Sequence, residues 1–217
     1  MVNFDKLYKQ LKKKYGSPKG QWSLWCKRPK TKKEREEVII EAILTQRANW
    51  NNVKLAFENL KREKMDSLKA IYQKGEKTLA PLIKPSGFYK TKANYLYHLA
   101  QFILKNYGDI NKMKKEKLQN LREKLLKLRG IGFETADSIL LYALDKPIFV
   151  VDEYTRRFVK RHKLTKNLSY HFLQKLFEEN LKRDFRLYQD FHALIVIDGK
   201  NQSKKSSATP MLLSAPP

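Results

Sequence analysis

Cysteine is almost absent from this chain of 217 residues, in which Cys26 is the single example. One thiol can neither form an internal disulfide nor supply the ligands of a cysteine-held zinc site. No apolar run reaches the length needed to cross a bilayer, and the segment Met1 to Lys6 lacks the apolar centre of a signal peptide. These absences predict a soluble, cytoplasmic protein without a disulfide framework.

Acidic residues are scarce as well. The chain has 22 of them against 46 lysines and arginines, which gives a formal net charge of +24. The basic residues are spread along the whole chain, so a charged tail does not explain them. A solvated, lysine-rich surface of the kind found in heat-adapted proteins is one explanation. An excess this large nevertheless implies a polyanionic partner or a membrane surface.

Glycine is also rare, with eight residues, yet Gly130 and Gly132 stand close together between two helical patterns. The apolar positions with helical spacing are Leu118, Leu121, Leu125 and Leu128 before the glycines and Ala136, Ile139, Leu140 and Ala143 after them. The pattern predicts a helical hairpin over about 117–144, in which both glycines adopt angles or close approaches that side chains would block. Free N–H groups at the start of the second helix would bind an anion, and on this basic chain a DNA phosphate.

The string from Leu128 to Asp137, LRGIGFETAD, resembles the helix-hairpin-helix of the DNA glycosylase superfamily that includes endonuclease III. In that family a catalytic aspartate follows the hairpin after a Val-Val or Ala-Val pair, and Val150-Val151-Asp152 fits this layout. Judged on the two glycines alone, a helical hairpin without a ligand is the simpler interpretation. The longer, spaced pattern favours the glycosylase family.

This resemblance covers most of the chain and implies an all-α fold of two helical lobes. One lobe is expected to be a six-helix bundle at 36–146 that contains the hairpin, and the other to combine 1–35 with 147–202. Asp152 would lie in the cleft between the lobes, where such enzymes hold a flipped nucleotide. The segment 203–217, rich in Ser, Pro and Ala, is expected to be a disordered tail.

Asp152 is the expected catalytic residue. Breaking an N-glycosidic bond develops positive charge on the sugar, and a carboxylate near the anomeric carbon stabilises that charge and orients or deprotonates a water molecule. The same carboxylate is expected to cap the helix that begins near Glu153, and the two roles are compatible.

Glu134 stands where bifunctional members of the family carry a lysine, four residues past the first glycine of the hairpin. That amine attacks the sugar and forms a Schiff base, which leads to strand cleavage. A carboxylate cannot form an imine, so the resemblance implies a monofunctional glycosylase without lyase activity. Glu134 is expected to be a helix N-terminal acid at the substrate-binding site rather than a second catalyst.

Two further segments match the family in order. Gln46, after Ile43-Leu44-Thr45, resembles the glutamine that fills the hole left by the extruded base. Phe88, in Gly87-Phe88-Tyr89, resembles the apolar residue that wedges between bases. Taken singly, Gln46 would be a surface helix residue and Phe88 a core aromatic.

The details of the hairpin string and the lack of cluster cysteines resemble the endonuclease III-like 3-methyladenine glycosylases of bacteria. Alkylated purines carry positive charge, and an aromatic pocket selects them by stacking and cation–π attraction. Trp50, Trp22 and Trp25 are the candidate substrate-binding aromatics, and Trp22 and Trp25 are expected in a loop that precedes the bundle. The alternative is that all three are core tryptophans.

Other functions stay open at this point. A uracil or mismatched-thymine glycosylase often places Tyr or Ser at the position of Glu134, and an 8-oxoguanine glycosylase keeps the lysine. A non-catalytic helix-hairpin-helix DNA-binding protein is a different class, and Asp152 at the expected spacing argues against it. The expected partner is double-stranded DNA that contains a damaged base. The protein is expected to be a monomer associated with the nucleoid and not to bind a membrane.

The resemblance also bears on DNA contacts and cofactors. Many relatives hold an iron–sulfur cluster in a four-cysteine loop, but Ser203, Pro210 and Leu213 occupy the first three positions here, so no cluster and no other cofactor is expected. His162, His171 and His192 show no ligand spacing, so no transition metal is expected. The residues expected to bind DNA are Gly130, Ile131, Gly132, Phe133 and Thr135. The main-chain carbonyls expected to hold a monovalent cation, Na⁺ or K⁺, at the hairpin are those of Leu126, Leu128 and Ile131.

Overall fold

The computed structural model describes residues 3–207, and the side chains of 3–203. Over this part the chain is helical and contains no strand. The helices are α1 (Phe4–Tyr15), α2 (Trp22–Trp25), α3 (Lys32–Leu44), α4 (Trp50–Arg62), α5 (Leu68–Leu82), α6 (Tyr89–Tyr107), α7 (Ile110–Lys115), α8 (Leu118–Leu126), α9 (Phe133–Ser138), α10 (Glu153–Arg161), α11 (Tyr170–Glu179) and α12 (Phe185–Ser207). A 3₁₀ turn (Lys84–Ser86) precedes α6, and a π-helical turn (Ile139–Ala143) continues α9. The expected all-α class is confirmed.

Several helices begin at capping residues that the sequence supplies. Thr31 accepts the N–H of Glu34, and the Glu34 carboxylate in turn accepts the N–H of Thr31, which forms a capping box at α3. Asn49 caps α4 in the same way through the N–H of Asn52. The Asn49 cap fixes the α4 end of the loop between α3 and α4, which forms part of the site described below.

Helix α3 lies at the centre of the protein. Its second half, from Val38 to Leu44, is apolar except for Glu41 and is buried, with Ile39, Ile40 and Ile43 fully so, and the helix contacts α4, α6, α7 and the π-helical turn. A helical segment that is apolar all round must be covered on every side. The C-terminal end of α3 therefore reaches the functional site from inside the core.

The two ends of the described chain pack against each other, because α1 lies along α12. Lys14 Nζ and Tyr15 Oη donate to the carboxylate of Asp198 at 2.9 and 2.7 Å, and α10 packs on the same helix. No helix in the described range is long and apolar enough to span a membrane.

Two local expectations differ from the structure. Trp22 and Trp25 form a short helix rather than a loop. Helix α12 continues to Ser207, so the first five residues of the expected tail are helical. They extend a helix that already exists, which needs no new nucleation step. Ser203 Oγ also donates to the Gly199 carbonyl one turn earlier. The remainder of that tail lies outside the described residues. The division into lobes at 36–146, and at 1–35 with 147–202, stays a prediction.

Candidate active site and DNA-binding hairpin

A cavity of about 320 Å³ opens where the end of α3, the start of α4, α2, α9, α10 and α12 converge. Six of the residues expected at the site line it together, namely Trp22, Trp25, Gln46, Trp50, Glu134 and Asp152. Phe88 does not line this cavity. It borders an adjoining cleft that also contains Gln46, Glu134 and the hairpin glycines.

Asp152 lies at the N-terminus of α10, with 15% of its side chain exposed. Its Oδ1 accepts the backbone N–H of Thr155 at 2.7 Å and the Thr155 hydroxyl at 2.9 Å, so the expected cap is present. Its Oδ2 lies 3.5 Å from Nε2 of His192. Burial acts to raise the pKa of Asp152, but His192 and the Thr155 bonds outweigh burial and hold that pKa below its ordinary value. The cavity therefore contains an ionised carboxylate at neutral pH.

Glu134 lies in the first turn of α9 and faces both the cavity and the adjoining cleft. Desolvation within the cleft and the neighbouring Asp152 carboxylate raise the pKa of Glu134. The two carboxyls thus differ: Asp152 is held in its charged form, whereas the environment of Glu134 disfavours a second negative charge.

The tryptophans of α2 belong to the core and to the cavity wall at once. Trp22 and Trp25 are both buried, and their ring centroids lie 5.7 Å apart in an edge-to-face arrangement. Trp25 Nε1 donates to the buried Glu41 carboxylate on α3 at 2.7 Å. Burial raises the pKa of Glu41 to about 7. Trp50, the first residue of α4, is partly buried and also lines the cavity.

The predicted hairpin is present between α8 and α9, and its two glycines differ. Gly130 has a φ of 80°, and a Cβ at this position would collide with the ring of Tyr95. Gly132 has a φ of −86°, and no atom lies within 4 Å of the place where its Cβ would stand. The expectation of a required glycine therefore holds within the chain for Gly130. Gly132 has an extended backbone that any residue can adopt, and the close approach of a phosphate expected there stays a prediction.

Ile131 and Phe133 of the hairpin differ in what they expose to solvent. Ile131 is buried, so only its main chain is available for contacts. Phe133 is 40% exposed, and its ring lies 4.4 Å from the ring of His171 on α11. Gln46 Nε2 donates to the Gly130 carbonyl and to Thr135 Oγ1, both at 3.0 Å. The side chain expected to fill the space of an extruded base is therefore bound to the hairpin in this state.

Phe88, the residue expected to wedge between bases, is exposed and has an unusual backbone conformation. Its side chain is 64% exposed, and its φ of 45° is rare for a residue other than glycine. The buried Lys92 lies one turn further along α6, and its Nζ donates to the Ser86 carbonyl at 2.7 Å and the Leu44 carbonyl at 2.8 Å. Lys92 thereby ties the loop that carries Phe88 to the end of α3.

Several polar residues of the cavity wall were not predicted as site residues, and four of them lie far apart in the chain. Gln21, Tyr154, His192 and Lys200 line the cavity, and Lys200 Nζ donates to Gln21 Oε1 at 2.7 Å. They come from three separated segments, and no spacing in the sequence marks them. One indirect signal exists: a Cβ on Gly199 would collide with the Tyr154 ring, so this glycine is needed for Tyr154 to lie against α12.

Within the described residues, no group of three or more His, Cys, Asp or Glu side chains is placed to hold a metal ion. At the hairpin, the Leu128 carbonyl accepts the N–H of Ile131 at 3.1 Å. A carbonyl oxygen has a second lone pair, so this bond is compatible with the predicted monovalent cation.

With this geometry in place, comparison with known proteins decides the family. Residues 40–183 match the model of the HhH-GPD superfamily base excision DNA repair proteins. The chain belongs to this superfamily. It is a DNA glycosylase of the helix-hairpin-helix type, similar in sequence to endonuclease III.

Individual relatives agree. A Methanocaldococcus jannaschii protein named as a DNA repair glycosylase is 43% identical over 176 residues, which are 80% of each chain. Endonuclease III of Thermotoga maritima is 29% identical over 135 residues. The solved structure of H. pylori 3-methyladenine DNA glycosylase (MagIII) bound to 1,N6-ethenoadenine is 30% identical, with a TM-score of 0.79 over 93% of this chain and 99% of that one. A complex of endonuclease III with DNA, at 18% identity and a TM-score of 0.74, shares the fold.

Proposed function

We propose that this DNA glycosylase removes alkylated purines, such as 3-methyladenine, from duplex DNA by hydrolysis of the N-glycosidic bond. The observation that carries the proposal is the ionised Asp152 carboxylate in the wall of a cavity lined by three tryptophans. The cavity, of about 320 Å³, has room for one extruded base.

The chemistry follows from the placement of Asp152. As the base leaves with the bonding electron pair, positive charge develops on the sugar, and the nearby carboxylate stabilises it. A water oxygen then bonds to the anomeric carbon and gives a proton to the carboxylate. Thr155 holds Oδ1 through two hydrogen bonds, so the carboxylate is oriented before the substrate arrives.

Selection of the base rests on the walls of the cavity. Trp22 and Trp25 are fixed by the core, and Trp50 closes the wall from α4. Aromatic faces attract a positively charged purine, and Glu134 adds a carboxylate that such a base would help to ionise. The similarity to MagIII, whose solved structure holds 1,N6-ethenoadenine, supports this substrate class.

We also propose that the enzyme lacks lyase activity. Glu134 stands at the position of the imine-forming lysine, and a carboxylate cannot form a Schiff base. Lys200, however, lines the same cavity. Borohydride trapping on a lesion duplex is therefore the decisive measurement, and no covalent complex is expected. A complex lost in Lys200→Arg would identify Lys200 as a nucleophile and overturn the proposal.

Single-lesion duplexes test the substrate class. The wild-type enzyme is incubated with methylated DNA and with duplexes that carry ethenoadenine, uracil, a T·G mismatch or 8-oxoguanine, and abasic sites are then cleaved with alkali. Release of alkylated purines well ahead of the other bases is expected. Preferential release of uracil, thymine or 8-oxoguanine would assign a different glycosylase, and release of no base would leave a DNA-binding protein.

Two further proposals concern the oligomeric state and the cofactors. A single cysteine cannot hold a four-cysteine cluster, so we propose that the enzyme works as a monomer without iron–sulfur centres or any other cofactor. The hairpin carbonyls of Leu126, Leu128 and Ile131 are proposed to hold Na⁺ or K⁺. Replacement of these ions by tetramethylammonium at constant ionic strength should then weaken duplex binding, and unchanged binding would remove the cation from the proposal.

A further inference from the structure

His192 is a buried histidine that the proposed chemistry does not yet use. It lies on α12, is 4% exposed and contributes to the cavity wall. Its Nδ1 is 2.7 Å from Tyr142 Oη. Its Nε2 has no hydrogen-bond partner among the described residues, yet it lies 3.5 Å from Asp152 Oδ2. A buried polar atom without a full hydrogen bond is costly and calls for an explanation.

The neighbours of the imidazole bear on which of its nitrogens carries the proton. The Tyr142 phenol oxygen lies 2.7 Å from Nδ1 and 3.3 Å from the Gln189 carbonyl, and its one proton can go to only one of these acceptors. The Asp152 carboxylate beside Nε2 favours a proton on Nε2, and Nδ1 then accepts the proton of the phenol. Tyr142 is fully buried, and burial raises its pKa well above the ordinary value, so the phenol stays protonated. A phenol that donates to Nδ1 leaves the proton of a neutral imidazole on Nε2, which points toward Asp152.

We propose that His192 is a positioning residue that keeps Asp152 ionised and oriented through Nε2–H, while Nδ1 accepts from Tyr142. The inference rests on the proposed function, because it assigns Asp152 the hydrolytic role. Thr155 fixes one carboxylate oxygen and His192 faces the other, so the carboxylate is held from both sides. At 3.5 Å the contact is longer than an ordinary hydrogen bond, and such contacts often shorten when substrate binds.

The surroundings of Asp152 explain why a second donor is needed. Burial favours its protonated form. Thr155 on α10 and His192 on α12 favour the ionised form. Glu134 of α9 and Lys200 of α12 line the same cavity, and Tyr142 acts from the π-helical turn. Without His192, Thr155 alone would oppose burial.

His192 keeps its proton through the reaction. The water oxygen bonds to the anomeric carbon, the base departs with the electron pair, and the proton from water passes to Asp152. The imidazole N–H stabilises the carboxylate before that transfer and needs no exchange of its own proton. Its effect should therefore appear in the pH dependence of excision rather than as a uniform loss of rate.

The test compares His192→Phe, His192→Gln and Tyr142→Phe with wild type in single-turnover excision between pH 3 and 8, on the lesion duplex that wild type processes fastest. Phenylalanine keeps the ring packing against Trp22 and Phe149 but has no donor. We expect the acid-side midpoint to rise by about one to two pH units in His192→Phe, and by less in Tyr142→Phe. His192→Gln, which keeps an N–H near the place of Nε2, should restore part of the shift. His162→Phe, on an exposed histidine outside the cavity, is the matched control.

A second measurement separates this inference from the proposed function. The pKa of the Asp152 carboxyl is followed by NMR on carbon-13-labelled, DNA-free protein, with the signal assigned through Asp152→Asn. A rise in His192→Phe supports the inference even if wild type releases no base. Equal pKa values in both proteins, or pH profiles that stay parallel while the rate falls, would overturn it. If His192→Phe does not fold, Tyr142→Phe and His192→Gln carry the same comparison.

Discussion

The hairpin and the cavity are built in different ways. The hairpin is a single run of chain from Lys127 to Gly132, and its backbone is fixed mostly by neighbours in sequence, as in the bond from the Ile131 N–H to the Leu128 carbonyl. The cavity is assembled from α2, the loop between α3 and α4, α9, the start of α10 and α12. Gln46 joins the two regions, because its amide donates to the Gly130 carbonyl at 3.0 Å.

This difference separates two contributions to function. The hairpin offers main-chain groups, which contact phosphates without regard to the base. The cavity holds the groups that distinguish one base from another, and its walls are also core residues. Changes in the hairpin should therefore affect all DNA alike, whereas changes in the cavity should affect excision and, for the wall residues, stability.

The largest effect is expected from Asp152→Asn. The amide oxygen can still accept the Thr155 N–H, so α10 keeps its cap and the protein should fold. The developing positive charge loses its counter-charge, and we expect excision to fall by about 10²–10³-fold with duplex affinity unchanged. Single-turnover excision and a binding titration measure the two quantities. A folded variant with the wild-type rate would exclude Asp152 from catalysis.

The hairpin is tested by a matched pair, Gly130→Val and Gly132→Val. At Gly130 a side chain must adopt a φ of 80° and displace Tyr95, so we expect a loss of about 1–3 kcal/mol in stability. At Gly132 there is room, so stability should be kept while the new side chain holds a phosphate away. Thermal unfolding and binding to intact and lesion duplexes give the comparison. If Gly132→Val lowers affinity for the lesion duplex alone, the hairpin reads the base and the proposed division of roles is wrong.

Trp50→Ala tests whether Trp50 contacts the extruded base or only packs in the core. If Trp50 stacks on the extruded base, the variant should lose about 1–3 kcal/mol of transition-state stabilisation. The excision rate of alkylated purines should fall accordingly, with little change in the affinity for intact DNA. Leu55→Ala is the control, because Leu55 lies on the same helix and is half exposed. A sharp loss of thermal stability with full activity of the folded fraction would make Trp50 a core residue instead.

The sequence alone was sufficient for the contiguous features. The family resemblance, rather than spacing, implied the all-α class and the proximity of Asp152 to Gln46, Glu134 and the tryptophans, and these residues line one cavity. The sequence itself predicted the hairpin from the helical spacing on both sides of the two glycines. It failed for His192 and Tyr142, because their contacts with Asp152 and with each other join segments far apart in the chain. Periodicity and spacing report neighbours along a helix, whereas these contacts depend on how the helices pack.

The same limit applies to the conformation of single residues. Both hairpin glycines looked equivalent in the sequence, but only Gly130 has a positive φ. Gln46 matched a family motif, yet its amide is bound to the Gly130 carbonyl and Thr135 in the DNA-free chain. Its role in filling the space of an extruded base stays a prediction.

The smallest expected effect is on stability and concerns the cavity wall. Glu41 holds Trp25 from inside the core, and its folded-state pKa is about 7 against an unfolded value near 4.5. Because the folded protein binds the extra proton between these values, the free energy of unfolding should fall as pH rises from about 4.5 to 7. Glu41→Gln removes this titration and can still accept the Trp25 N–H. We expect the variant to gain about 1–2 kcal/mol over wild type at pH 8, and little at pH 5, in denaturant unfolding. A stability difference between Glu41→Gln and wild type that does not change with pH would mean that Glu41 is ionised throughout, and that Trp25 is held by a charged rather than a neutral acceptor.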